Sequence, residues 1–247
     1  MGNNFDQYKM TFDYHTHTTF SHGKGSIEDN VKEAVAKGLK AIAISDHGPG
    51  HLTYGVKRKD FAVMRKEIQR LQPLYPQLEI FLSVEANIVS TGNYLDVTEE
   101  EKSWFDFIIG GYHYGIPKGY CVGNWLDNRK LAPAAVGKSL LVKNTDMTVK
   151  ALYENNLRIL THPGDKGRFD IKEIAKACAA TDTWMEISTW HSHLTTEEIK
   201  IAATEDVKFI VSSDAHSPNR VGSFEGGVKR ALEAGLDMER LVNIEVK

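Results

Sequence analysis

The chain has 247 residues, of which 41% are hydrophobic and 26% charged, a length that suits one large α/β domain. No run approaches the roughly 20 apolar residues that a membrane-spanning helix needs, and residues 1–10 are too polar for a secretory signal, so we expect a cytoplasmic protein with no membrane contact. A net charge of −3 disfavours a nucleic-acid partner, and two cysteines without CxxC spacing argue against disulfides and thiolate metal sites, so any metal must be held by nitrogen and oxygen.

Short apolar or β-branched runs alternate with amphipathic stretches from end to end, which predicts a parallel sheet built from βα units. The predicted strands are Phe12–His17, Ala41–Ser45, Ile80–Val84, Phe107–Gly111, Arg158–Thr161, Trp184–Ser188 and Phe209–Ser213. The predicted helices are a first one from the Ser26 cap to Gly38, then Asp60–Leu71, Thr145–Asn155, Ile171–Ala179, Thr195–Thr204 and Gly226–Ala234. Seven strands of one direction indicate a barrel, predicted as a single domain over residues 1–247.

Residues 114–144 depart from this alternation, since they contain four glycines and two prolines beside aromatic residues. A connection of this length is usually functional. Two interpretations remain open: a surface excursion that only covers the barrel, and a lid or specificity loop over an active site.

Most of the ten histidines fall at the ends of predicted strands. His15 and His17 close the first strand, where a period of two places both side chains on one face. The carboxyl ends of the strands form the active face of a parallel α/β barrel, so residues far apart in sequence should converge there. The strand-end residues in question are His15, His17, His22, His47, Glu85, His113, His162, Asp214 and His216. Imidazole and carboxylate groups together favour Zn, Mn or Fe.

Three further carboxylate and imidazole groups of this region need separate treatment. Asp46 precedes His47, and the carboxylate of such a pair often orients a neighbouring residue instead of binding metal. Glu186 ends the sixth strand and is expected beside the cluster. His191 lies in the loop that follows it, where loop packing and a substrate contact both remain open.

Six short motifs at these strand ends occur together in one order. They are Asp13-Tyr14-His15-Thr16-His17, Ser45-Asp46-His47-Gly48-Pro49, Val84-Glu85-Ala86-Asn87, Gly111-Tyr112-His113, Thr161-His162-Pro163-Gly164 and Ser213-Asp214-Ala215-His216. In these motifs the chain resembles the polymerase and histidinol phosphatase (PHP) superfamily, specifically its small stand-alone phosphoesterases. The resemblance spans nearly the whole chain and implies a distorted (β/α)7 TIM-like barrel with two or three divalent metal ions.

The resemblance also implies how the ligands are divided. One metal would be held by His15, His17, Glu85 and Asp214, and a second by Glu85, His113 and His162, with Glu85 bridging the two. A third would take His22, His47 and His216. The assignment of His22 as a ligand depends on a loop whose length varies among members of the family. Without His22 the resemblance implies a two-metal centre.

The expected reaction is hydrolysis of a small phosphate monoester by attack of metal-bound hydroxide. Asp214, His216 and His47 are the candidates for proton transfer to the leaving oxygen, although a metal-bound group is a poor free acid, and the general acid stays unassigned. Arg168 after the fifth strand and Arg220 after the seventh are candidates for gripping the phosphate, against the alternative of solvated surface charge.

Two other functions remain open. The same cluster would serve a phosphodiesterase or exonuclease acting on nucleotides, which needs an open groove where a monoesterase needs a closed pocket. A metal-binding regulatory domain without turnover is the third interpretation, and it is disfavoured because no core ligand is missing. The leaving alcohol and the identity of the metal are not indicated by the sequence. A homo-oligomer is possible, without a predicted interface.

Overall fold

The computed structural model describes residues 5–247. Its strands, numbered in chain order, are β1 Tyr8–Met10, β2 Phe12–Thr16, β3 Ala41–Ile44, β4 Glu79–Leu82, β5 Glu85–Asn87, β6 Ile108–Gly111, β7 Leu157–Leu160, β8 Trp184–Ser188, β9 Phe209–Ser212 and β10 Ile244–Val246. The helices are α1 Ile27–Ala36, α2 Asp60–Leu71, α3 Glu99–Lys102, α4 Cys121–Asn128, α5 Ala134–Glu154, α6 Ile171–Ala180, α7 Thr196–Ala202 and α8 Glu225–Ala234.

The parallel strands form two sheets that together make a distorted barrel. One sheet has the order β2-β3-β4 and the other the order β5-β6-β7-β8-β9. An isolated parallel bridge between His47 and Glu85 joins the sheets at one seam, and a bridge between Thr16 and Ala215 joins them at the other. One seam lies at two residues of the predicted metal cluster and the other lies next to His15, His17, Asp214 and His216 in the sequence. The parallel strands joined in this way confirm the expected α/β barrel architecture.

Several barrel strands are buried on both faces because helices cover the outside of the barrel. All four residues of β3, and likewise of β6 and β9, are buried. The helices are amphipathic and pack their apolar faces against the sheets. In α1, for example, Val31 and Ala34 are fully buried. No helix described between residues 5 and 247 has the length and apolar character needed to cross a bilayer.

Several elements differ from those expected. The third predicted strand, Ile80–Val84, corresponds to β4, which ends at Leu82. A separate strand that the prediction missed, β5, begins at Glu85 and belongs to the second sheet. The strands β1 and β10, which pair antiparallel outside the barrel, are missing from the prediction. The predicted start of α5 at Thr145 is wrong, because the helix begins at Ala134 and, with α4, makes much of residues 114–144 helical. Residues 1–4 of the predicted domain lie outside the described chain.

Candidate metal centre

Two carboxylates lie at the centre of the histidine cluster. Glu85 places Oε1 2.9 Å from Nε2 of His162 and 3.2 Å from Nε2 of His113. Its other oxygen, Oε2, lies 2.9 Å from Nδ1 of His47 and 3.4 Å from Nε2 of His15. Glu85 thus contacts histidines from four different strand ends, as a bridging ligand would.

Asp214 is the second of these two carboxylates. Its Oδ1 lies 3.2 Å from Nε2 of His17, 3.5 Å from Nε2 of His15 and 3.5 Å from Nδ1 of His216. The backbone of Asp214 has φ of 48°, a left-handed conformation that non-glycine residues rarely adopt and that costs on the order of 1–3 kcal/mol. This conformation occurs two residues after the end of β9, where the Asp214 side chain contacts the histidines.

The buried donor atoms fit a metal centre. Four triads of these side chains each have ligand atoms within 4.8 Å of one another, namely His17-His47-His216, His15-His162-Asp214, His15-His17-Glu85 and His47-Glu85-His113. Within the described chain, Oε2 of Glu85, both carboxylate oxygens of Asp214 and Nε2 of His113 are buried without a hydrogen-bond partner. Buried polar atoms without partners are costly, and cations shared among imidazoles and carboxylates would satisfy them.

The protonation of the cluster also suits divalent cations. Burial lowers the pKa of His113 to about 3, although the Glu85 carboxylate opposes this shift, and burial with the charge of His47 lowers the pKa of His17 well below its usual value. Burial by itself raises the pKa of Glu85, but the charges of His113, His15 and His47 hold it well below the usual range. Neutral imidazoles beside ionised carboxylates are the forms that bind metal.

His15 is the exception to this pattern of neutral imidazoles. Burial by itself lowers its pKa, but the carboxylates of Asp214, Glu186 and Glu85 raise it well above its usual value. His15 therefore holds a proton in the metal-free protein, and a metal ion that binds to His15 would release this proton.

Hydrogen bonds behind the ligands fix which ring nitrogen faces the cluster. Nδ1 of His15 lies 2.7 Å from Oε1 of Glu186, and because that oxygen accepts, Nδ1 carries the hydrogen and Nε2 faces Glu85. Nδ1 of His113 bonds in the same way to Oδ1 of Asn87 at 2.8 Å. The amide group of Asn87 is oriented in turn by the buried carboxylate of Asp96.

The floor beneath Glu85 requires a glycine. Thr161 donates its hydroxyl hydrogen to Oε1 of Glu85 at 2.7 Å. A Cβ atom on Gly111 would lie 2.2 Å from Oγ1 of Thr161 and 2.9 Å from Oε1 of Glu85, closer than van der Waals contact allows. The glycine before the Tyr112-His113 pair thus leaves the space in which the carboxylate and its donor meet.

Asp46 and His22 take different positions at the edge of the cluster. Asp46 is buried, and its oxygens accept from the backbone and hydroxyl of Thr18 and from the hydroxyl of Ser21, so it holds the loop that carries His17 and His22. His22 is exposed and packs its ring 4.8 Å from His47 and 4.2 Å from His216. His22 thus lies beside the third predicted ligand set, and its role there stays a prediction.

The cluster lies at the bottom of a cavity of about 210 Å³. Seven of the predicted or considered histidine and aspartate residues line it, together with three residues that sequence reasoning missed. The lining residues are His22, His47, Tyr54, His113, His162, Lys166, Trp190, His191, Asp214 and His216. No sequence signal separated Lys166 from the nearby Arg168, since both follow the same strand with the same charge.

His191 is held between two carboxylates at this cavity. Its Nδ1 lies 3.2 Å from Oδ2 of Asp165 and its Nε2 3.3 Å from Oδ2 of Asp214. Burial lowers the pKa of His191, but these two carboxylates outweigh it and raise the pKa to about 9. The loop after β8 therefore contributes a cationic group to the cavity wall.

The two arginines expected to bind phosphate do not line the cavity. Arg168 is half exposed and places Nε 2.7 Å from Oδ2 of Asp127. Arg220 lies over the ring of Trp190, with its Cζ atom 5.6 Å from the ring centre. Residues 114–144 do not line the cavity either. The substrate-binding roles of both arginines and the lid role of this segment stay predictions that their placement does not favour.

The chain is similar to several known proteins. The family model of the PHP domain matches residues 13–194. A probable phosphatase of Acetivibrio thermocellus is 25% identical over 97% of this chain and 93% of its own length, and one from a Thermoanaerobacter strain is 29% identical over 96% and 92%. The structure superposes on histidinol phosphate phosphatase from Lactococcus lactis, solved with zinc, L-histidinol and phosphate, with a TM-score of 0.62 and 17% identity over 92% of this chain and 95% of that one.

Proposed function

This chain belongs to the PHP domain family, and from that premise we propose that it is a metal-dependent phosphoesterase that hydrolyses a small phosphate monoester. The observation that carries the proposal is the set of buried carboxylate and imidazole atoms without partners at the floor of an open cavity. The phosphatase names of its relatives and the zinc and phosphate bound to the Lactococcus protein support it.

Two or three divalent ions, Zn, Mn or Fe, would be held by the ligands grouped around Glu85 and Asp214. One ion would be held by His15, His17, Glu85 and Asp214, a second by Glu85, His113 and His162, and a third by His22, His47 and His216. When bound, such ions neutralise phosphoryl oxygens and lower the pKa of a coordinated water.

The protein's own residues supply orientation. Glu186 and Asn87 hold the rings of His15 and His113 so that Nε2 of each faces Glu85. The backbone carbonyl of Asp214 accepts from Nδ1 of His216 at 2.9 Å and orients that ring in the same way. Ligands fixed beforehand need not reorganise when the metals and the phosphate bind.

The size of the cavity favours a small substrate. The cavity of about 210 Å³ is smaller than the roughly 300–1,000 Å³ of pockets that enclose a drug-sized ligand. A phosphoryl group and a short part of its alcohol fit this volume. A nucleic-acid strand would need an open groove, and cleavage of a diester is therefore the outcome that would favour the phosphodiesterase alternative.

The test is phosphate release from sugar, amino-alcohol and nucleotide monoesters and from one diester, with protein reloaded separately with Zn, Mn or Fe. Glu85→Gln should abolish release and lower the metal content, because an amide is a poor bridging ligand. Glu239→Gln, an exposed site with the same chemical change, should match the unaltered protein in both measurements. Full metal content with no release from any ester would contradict the proposal and favour a regulatory role.

A further inference from the structure

Lys166 is the one lysine or arginine among the described residues that line the cavity. It belongs to the loop between β7 and α6 and follows the ligand candidate His162 by four positions. Its side chain is 30% exposed, so it is partly covered by neighbouring residues and partly open to solvent. A phosphate monoester brings up to two negative charges into this cavity, and a lysine is a common partner for them.

Contacts on two sides hold the Lys166 side chain at the cavity. Its Nζ lies 2.5 Å from Oδ2 of Asp165 and 5.9 Å from the ring centre of Tyr114. An ammonium group has three donors, and within the described chain Lys166 forms an ion pair with Asp165 alone, so at least two donors remain for a ligand.

Helix α4 supports this arrangement from behind. Nδ2 of Asn128, at the end of α4, donates to the hydroxyl oxygen of Tyr114 at 2.6 Å and lies 3.4 Å from the carbonyl oxygen of Asp165. His191 contacts the same carboxylate of Asp165 from the other side. The lysine is thus placed by a connected set of contacts and is not a freely moving surface chain.

We infer that Lys166, and not Arg168 or Arg220, binds the phosphoryl group of the substrate and sets the enzyme's affinity for phosphate monoesters. The inference rests on the proposed function. Arg168 pairs with Asp127 and is exposed, while Arg220 packs over the ring of Trp190 and does not line the cavity. Lys166 alone of the three combines a place on the cavity wall with unused donors.

The experiment compares Lys166→Met with Lys208→Met. Lys208 is exposed on another face and also has an acidic partner, Asp182 at 3.3 Å, so the two variants remove the same charge from similar pairs. Lys166→Met should raise KM for a hydrolysed monoester about tenfold to a hundredfold, the range for a lost hydrogen bond to a charged group. Lys166→Arg should have a KM much closer to that of the unaltered protein, and Lys208→Met should leave KM unchanged.

A second readout does not depend on turnover. The affinity of the zinc-loaded protein for inorganic phosphate, measured by calorimetry, should fall in Lys166→Met by a factor similar to the rise in KM. The zinc content and the melting temperature of each variant should match those of the unaltered protein, which separates loss of binding from misfolding.

The outcomes distinguish the inference from the proposed function. If the unaltered protein hydrolyses monoesters but Lys166→Met keeps its KM and phosphate affinity, or if Arg168→Met carries the loss instead, the inference is overturned and the proposed function stands. If no monoester is hydrolysed while phosphate affinity still depends on Lys166, the proposed function fails and the phosphate site remains.

Discussion

The carboxyl group of Glu186 accepts two hydrogen bonds at the back of the metal centre. Oε1 lies 2.7 Å from Nδ1 of His15, and Oε2 accepts from the backbone N–H of His162 at 2.7 Å. One fully buried side chain thus orients the imidazole of one candidate ligand and the backbone of another. Residues of this kind often matter to a metal site nearly as much as the ligands do.

We predict that Glu186→Gln weakens metal binding about 10–100-fold, the usual range for loss of a partner behind a ligand. A glutamine side chain has one accepting oxygen and one amide nitrogen that only donates, so it cannot accept from both His15 and His162. Equilibrium dialysis against buffered zinc measures the change. The Glu239→Gln protein is the control, and equal zinc affinity in the two variants would contradict the prediction.

Much of the site at the scale of single residues could be predicted from the sequence, because the ligand candidates all follow strands. The roles of their supporting residues were harder to predict. Asn87 lies two positions after Glu85 on the same face of β5, and this spacing was a usable signal. Asp96 had none, since only the folded loop brings its carboxylate to the amide of Asn87.

At the scale of elements, the helices with clear end signals were predicted best. The capping box of Ser26 and Asp29 and the end near Gly38 place α1 correctly, and Asp60–Leu71 is confirmed at both ends. Helix α4 begins at Cys121, and its N-cap residue Tyr120 has a left-handed backbone and forms no side-chain cap, so no local signal marked the helix start.

The start of α5 was misread for a physical reason. Its N-cap is Pro133, a residue tolerated at a helix start, and Gly137 lies in its first turn. Both residues resemble loop sequence. A Cβ atom on Gly137 would approach Oδ1 of Asp127 to 2.6 Å, so the glycine is needed where α4 packs on α5.

The capping box of α1 provides a test of stability at the element scale. The Ser26 hydroxyl accepts from the backbone N–H of Asp29, and the Asp29 carboxylate accepts from the backbone N–H of Ser26. We predict that Ser26→Ala lowers the free energy of unfolding by about 1 kcal/mol and that Ser26→Gly lowers it by only a few tenths. Urea unfolding measures both values. An unchanged free energy of unfolding in Ser26→Ala would show that the cap hydroxyl does not stabilise the fold.

At the scale of the whole molecule, the barrel brings together residues that are 199 positions apart, His15 and Asp214, and joins its two sheets at the cluster itself. Parallel strands with one active end make this convergence predictable from strand order alone. The sequence could not predict which cation after β7 turns inward. That choice between Lys166 and Arg168 depends on Tyr114 and Asp127, which come from a distant segment.

Because the cluster joins the two sheets, we predict that bound metal stabilises the entire fold. One ion at a free concentration of 100 Kd adds about 2.7 kcal/mol, provided that it does not bind the unfolded chain. For a domain of this size, that gain corresponds to a rise of about 5–10 °C in melting temperature over chelator-treated protein. Calorimetry with added zinc measures the rise, and the Glu85→Gln protein should show much less of it.

This stabilisation should increase with pH, because metal and protons compete for the same imidazoles. In the metal-free protein the pKa of His15 is raised above 6.5, so its proton stabilises the fold fully below that pH and the contribution disappears as the pH rises through the raised pKa. A metal bound at His15 must displace this proton, so its affinity grows over the same interval. The difference in melting temperature between zinc-loaded and metal-free protein should therefore widen from pH 6 to pH 8. A difference that stays constant over this range would mean that His15 is not a ligand or that its proton is already absent before metal binds.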